Sequence, residues 1–175
     1  MPSRSMAGWR CSACGGLITS VDDGWVEWLA TEGAHGDTVL KGVRLVHRTR
    51  PGGSRQSACH YDFRNEFRKN RSIVEGLPLA RFVGPDGLML LLFFLALGEM
   101  PKDDVLELAK RVQIPGYEQT RELFQEARDK GVVAPAIGER YYLQSEIEAL
   151  FRWAGHKGKP VRAAQDRALK QKRAH

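Results

Sequence analysis

The chain has 175 residues, 42% of them hydrophobic and 27% charged, a globular balance that excludes a collagenous or wholly disordered polymer. Its net charge of +6 points towards an anionic partner. Three cysteines, an odd number, and the apolar-poor start "MPSRSMAGWR" argue against a secreted disulfide framework and for a cytoplasmic setting.

The charge is unevenly spread. Residues 1–71 carry 11 Lys and Arg against 7 Asp and Glu, residues 72–151 carry 8 against 13, and residues 152–175 carry 8 against 1. Basic ends flank an acidic middle, a map that suits nucleic acid or, equally, a solvated surface with a solubilising tail.

Taken in chain order, the first elements are β-like. "GWVEWLA" alternates, with Val26 and Trp28 on one face and Trp25, Glu27 and Leu29 on the other. "TVLKGVRLVHR" predicts a second strand, with Val43, Leu45 and His47 on one face and Arg44, Val46 and Arg48 on the other. "TEGAHGD" joins them, and "RPGGSRQSA" is a second loop. "YDFRNEFRKN" predicts a short helix capped by Asp62, with Phe63 and Phe67 on its buried side and Arg64, Arg68 and Arg71 outward.

From about Ile73 the pattern turns helical. "GPDGLMLLLFFLALG" has Pro85 in its first turn and Gly98 as a stop. Its ten-residue apolar run, Leu88 to Leu97, is about 15 Å of helix, half a bilayer core, so it reads as buried rather than membrane-spanning. Being apolar all round, it is expected to be a central helix or a self-association surface, including a homodimer. "MPKDDVLELAKRVQIPG" predicts a second helix, with Asp103 and Asp104 early and Lys110 and Arg111 late. "PGYEQTRELFQEARDKG" predicts a third, Tyr117 to Lys130, ended by Gly131. "VVAPAIGERYYL" predicts a β-hairpin, and Ser145 with Glu148 predicts a capping box for a last helix ending near Gly155. "HKGKPVRAAQDRALKQKRAH" reads as a basic tail.

The order helix, helix, helix, hairpin, helix over Gly84 to Trp153 resembles a winged helix-turn-helix domain. A groove-reading third helix is usually basic. Here Arg121, Arg128 and Lys130 face Glu118, Glu122, Glu126 and Asp129, which would repel phosphate. This segment is therefore expected to serve protein interaction.

The N-terminal "CSACGG" offers two thiols, Cys11 and Cys14, at a spacing that lets one turn aim both at a point. The stretch resembles the knuckle of zinc-ribbon proteins, although the second Cys-x-x-Cys of that family is absent. "LVHRTR" and "SACHYD" stand in its place. The expected ligand set for a structural Zn2+ is Cys11, Cys14, His47 and Cys59, with His60 as the alternative to His47 and His35, in a glycine loop, a weaker candidate. A reversible Cys11–Cys14 dithiol is the bland competitor. Seventy residues of short strands bury little core alone, which is the physical motive for a metal.

Between Arg44 and Arg71 there are 8 Lys and Arg against 2 Asp and Glu. Arg44, Arg48, Arg50, Arg55, Arg64, Arg68, Lys69 and Arg71, with Lys157, Lys159 and Arg162 of the tail, are the candidate nucleic-acid contacts. No nucleophile elbow, phosphate-binding loop or H-E-x-x-H occurs, so no enzyme is expected. The organisation expected is α+β: residues 1–71 a zinc-stabilised β-rich module, 72–155 a winged-helix-like helical module, and 156–175 a tail. The function expected is that of a non-enzymatic, nucleic-acid-associated regulator or accessory factor. The alternative is a protein-interaction adaptor or a phage- or plasmid-type inhibitor of a host complex.

Overall fold

The computed structural model describes residues 8–49, 58–134, 136–138 and 140–157, and is a mixed α+β structure with two small sheets and six helices. The chain divides into two compact units between Gln119 and Thr120. No helix among the described residues is long and apolar enough to cross a membrane.

The first unit opens with a small antiparallel ribbon, β1 (Trp9–Arg10) against β2 (Leu17–Ile18). Three longer antiparallel strands follow, β3 (Gly24–Glu32), β4 (Thr38–His47) and β5 (Ile73–Pro78), in the order β4-β3-β5. β3 is the central strand, so both of its faces are largely buried, Glu27 included. The β3–β4 hairpin is closed by Gly33 N–H donating to the Asp37 carbonyl at 2.7 Å. A bulge between Glu27 and Leu29 is met on β4 by Gly42 at φ +64°, a conformation that favours glycine. The register sets His47, at the end of β4, opposite Gly24.

Helix α1 (Phe63–Asn70) starts where expected, with the Asp62 carboxylate accepting from Arg64 and Asn65 N–H. Helices α2 (Gly84–Leu97) and α3 (Lys102–Gln113) follow, and the short α4 (Tyr117–Thr120) lies at the unit boundary. Pro85 in the first turn of α2, Gly98 at φ +69° and the charges at both ends of α3 match the sequence reading. The core gathers Val26, Leu45 and Val46 from the sheet with Leu79, Phe82, Leu91, Val105 and Leu108 from the following chain. Phe94 meets Trp28 edge-on at 5.6 Å and stacks on Phe82 at 6.5 Å. The second unit holds α5 (Phe124–Asp129) and α6 (Gln144–Lys157), with Ala127, Ile147 and Leu150 fully buried.

Several expectations are corrected. The apolar run of α2 is not covered on every side. Leu91 is buried, but Leu88, Met89, Leu92, Phe93 and Leu97 are exposed, because the helix has an apolar partner on one face only. The expected helix from Tyr117 to Lys130 is two short helices. Leu123 N–H bonds the Thr120 carbonyl three residues back, at 2.8 Å, a tighter turn than an α-helix sustains. Among the described residues of 132–143 none lies in a strand, so they form no hairpin. Val132 N–H goes to the Ala127 carbonyl, while Ala136 and Leu143 N–H go to the Glu146 carboxylate, so these donors do not pair across a ladder. Tyr142 stacks on Phe124 instead, with ring centroids 3.7 Å apart. The winged-helix order therefore lacks its wing among the described residues. The capping box is also displaced: α6 begins at Gln144, ahead of Ser145, and Glu146 reaches back to Leu143 N–H at 2.6 Å. Finally, Phe63 and Phe67 are exposed, and in α1 only Asn65 and Glu66 are partly buried. Arg50, Arg55, Lys159 and Arg162, with most of the expected tail, lie outside the described residues.

Candidate metal centre

The turn between β1 and β2 is built to present thiols. Cys11 N–H donates to the Gly16 carbonyl at 2.8 Å, and Gly15 N–H donates to the Cys11 carbonyl at 2.9 Å, with Gly15 at φ +71°. Gly16 N–H points at Cys14 Sγ, 3.4 Å away. Ser12 then ties this turn to β4, its N–H donating to the Leu45 carbonyl at 2.7 Å and its Oγ accepting from Leu45 N–H at 3.3 Å. That pairing carries both thiols to the end of β4, where His47 stands.

Cys59, from the turn that precedes α1, completes the group. The ligand atoms of Cys11, Cys14, His47 and Cys59 all lie within 4.8 Å of one another. His47 Nδ1 is 3.5 Å from Cys14 Sγ and 3.7 Å from Cys59 Sγ. Tetrahedral geometry with ordinary zinc–sulfur and zinc–nitrogen bonds requires about 3.6 Å between such a sulfur and nitrogen. The other ring nitrogen, Nε2, lies 3.3 Å from the Leu17 carbonyl, which can only accept. A proton on Nε2 would satisfy that carbonyl and leave Nδ1 with its lone pair towards the sulfurs, the arrangement that metal-bound histidines use. Gly16 makes room for the ring: a Cβ there would come 3.2 Å from His47 Cε1 and 3.3 Å from Cys14 Sγ.

Cys11 and Cys59 are buried, His47 is half-buried and Cys14 is exposed. Burial by itself pushes the Cys11 thiol up. The N–H groups of Cys14, Ala13 and His47, with the Cys14 side chain, outweigh it and bring the thiol down to about 6. Cys59 is pushed up to about 12, first by burial and then by hydrogen bonding to, and repulsion from, the other two sulfurs. A cation among the three sulfurs would favour their thiolate forms, and four protein donors would leave no open position for a substrate.

His60 is not among the converging ligands. Its Nδ1 lies 2.7 Å from Glu27 Oε2. Glu27, 1% exposed, also accepts from Arg44 Nε at 2.7 Å and from Tyr61 N–H at 3.0 Å. Arg44 is thus held by a buried carboxylate, with its guanidinium 3.5 Å over the Tyr61 ring. His35 is exposed in the β3–β4 turn, at the opposite end of that hairpin from His47. Arg48, Arg64, Arg68, Lys69 and Arg71 are exposed.

Sequence reasoning missed the clamp behind the knuckle. Arg111 of α3 and Glu118 of α4 form a buried bidentate pair, Nε to Oε2 at 2.7 Å and Nη2 to Oε1 at 2.8 Å. Both also grip the knuckle: Arg111 donates to the Arg10 carbonyl at 2.7 Å and to Ser12 Oγ at 3.2 Å, and Glu118 accepts Arg10 N–H at 2.7 Å. Nothing in helical charge patterning separates this pair from surface charges. Scans of family models, curated proteins and solved structures each find no match to the chain.

Proposed function

We propose that this is a non-enzymatic protein whose first unit is stapled by one structural Zn2+ on Cys11, Cys14, His47 and Cys59, and that it works in association with nucleic acid. The observation that carries the metal reading is the convergence of three cysteine sulfurs and one imidazole, their ligand atoms all within 4.8 Å of one another. Soft thiolates with one imidazole at tetrahedral spacing suit zinc above the hard cations. The third thiol and the imidazole favour this over a simple dithiol. A reducing, cytoplasmic compartment, where thiols stay free, is part of the reading.

Zinc would join the knuckle to the end of β4 and to Cys59, 48 residues beyond Cys11, and offset the small core of this region. The nucleic-acid part of the reading is supported by the basic stretch from Arg44 to Arg71, by the exposure of Arg48, Arg64, Arg68, Lys69 and Arg71, and by the basic run to which Lys157, Lys159 and Arg162 belong. A gel-shift titration with duplex and single-stranded DNA and RNA at two salt concentrations tests it. Salt-weakened binding is expected, and no binding at low salt overturns it.

A second reading, a protein-interaction adaptor, has its own support. Leu88, Met89, Leu92, Phe93 and Leu97 form one exposed, uncharged stripe along α2. Such a stripe is self-complementary, so a second copy of this chain is the partner proposed. Light scattering should then give a dimer that Leu92→Asp turns into a monomer. A wild-type monomer at all concentrations overturns this reading.

A further inference from the structure

The exposed aromatic rings of α1 are the feature that the metal centre leaves unexplained. Phe63 is 64% exposed and Phe67 49%. Four residues apart on a helix, they share a face, with their Cβ atoms about 5–6 Å apart. The helix beneath them is well defined, capped by Asp62 at its start and closed at its end by Arg71 at φ +54°. A large ring left largely in water forgoes the stabilisation that burial would give it. Two such rings side by side therefore mark a surface with a use.

Their surroundings name the chemistry. The guanidinium carbon of Arg64 lies 5.6 Å from the Phe63 ring centre, and that of Arg71 lies 5.3 Å from the Phe67 ring centre. From Phe63 to Arg71 the chain carries Arg64, Arg68, Lys69 and Arg71 against one carboxylate, Glu66. Glu66 is partly buried and its carboxylate accepts from Asn70 at 3.3 Å, so the helix surface as a whole is aromatic and net cationic. Alternating rings and cations match a chain of bases and phosphates. A duplex hides its base faces within the stack and would leave both rings unused.

We infer that α1 is a stacking platform for single-stranded nucleic acid. Phe63 and Phe67 each take the face of an unpaired base, and Arg64, Arg68, Lys69 and Arg71 hold the flanking phosphates. This rests on the nucleic-acid reading above and narrows it to unpaired strands.

The test is fluorescence anisotropy of the full-length, zinc-loaded protein with labelled oligo-dT and oligo-rU of about 15 nucleotides, against a duplex of equal length. Both single strands should bind more tightly than the duplex. The Phe63→Ala, Phe67→Ala double variant should weaken single-strand binding about tenfold or more and leave duplex binding and the salt slope unchanged. Phe63→Trp with Phe67→Trp should retain single-strand binding. Arg68→Ala should flatten the salt slope for every probe. Because both rings are exposed, metal content and melting midpoint serve as controls that the fold is intact. If no oligonucleotide binds at low salt, the nucleic-acid reading falls and this inference falls with it. If strands bind but removing both rings changes nothing, or if the duplex is preferred, this inference alone is overturned.

Discussion

Replacing Glu118 by Ala should be among the most damaging single changes in the first unit. Glu118 and Arg111 have side chains only 3% and 7% exposed, and the change leaves the guanidinium buried without its carboxylate. It also removes the acceptor of Arg10 N–H, next to the knuckle. Breaking a buried, hydrogen-bonded ion pair from one side costs about 3–5 kcal/mol. At about 4–8 °C per kcal/mol for a domain near this size, the melting midpoint should fall on the order of 15 °C or more. Tryptophan fluorescence reports the event, since Trp9, Trp25 and Trp28 lie in the first unit and a Trp153→Phe background silences the second. The Arg111→Met, Glu118→Leu double variant should lose less than Glu118→Ala, because no charge is stranded. A loss below about 1 kcal/mol for Glu118→Ala would refute the clamp.

Other outcomes follow from the same geometry. In metal-free protein the two perturbed thiols act in opposite directions relative to their ordinary value of 9.0. Cys11, held down to about 6, contributes stability that is present above pH 9.0 and lost as pH falls through about 6. Cys59, raised to about 12, contributes stability present below pH 9.0 and lost as pH rises through about 12. Urea unfolding with a chelator present should thus show stability rising from about pH 6 to 9 and falling beyond; a monotonic profile would contradict the assignment. Gly87→Ala should destabilise by about 1–3 kcal/mol in chemical unfolding, despite better helix propensity. Its Cβ would sit 2.1 Å from the Phe82 carbonyl carbon; an unchanged midpoint would show that the backbone yields there. On the proposed zinc site, adding a chelator should lower the melting midpoint of the first unit and leave that of the second in place, read by calorimetry.

The Cys3His cluster was legible because cysteine is scarce: with three in the chain, the Cys11–Cys14 spacing and a strand-end His47 nearly define the set. Strand alternation, Asp62, Pro85 and Gly98 were legible for the same local reason, since caps and period-two patterns act within a few residues. What was lost depends on neighbours distant in sequence. Phe63 and Phe67 have helical spacing that normally signals burial, yet in α1 only Asn65 and Glu66 are partly buried. The α2 run has apolar residues on all sides, so its pattern could not say which side is covered. Glu118 looked like a surface charge until Arg111, seven residues away, drew it inside. The expected hairpin yielded to the Glu146 carboxylate and the Phe124–Tyr142 stack, neither of which a strand pattern anticipates.

The central claim is the four-ligand zinc site, and elemental analysis of purified protein tests it most directly. The account predicts one equivalent of zinc, lost in Cys11→Ser, His47→Ala and Cys59→Ser but retained in His60→Ala, whose imidazole is turned to Glu27. Wild-type protein purified without metal, or zinc kept by His47→Ala and lost by His60→Ala, would contradict it.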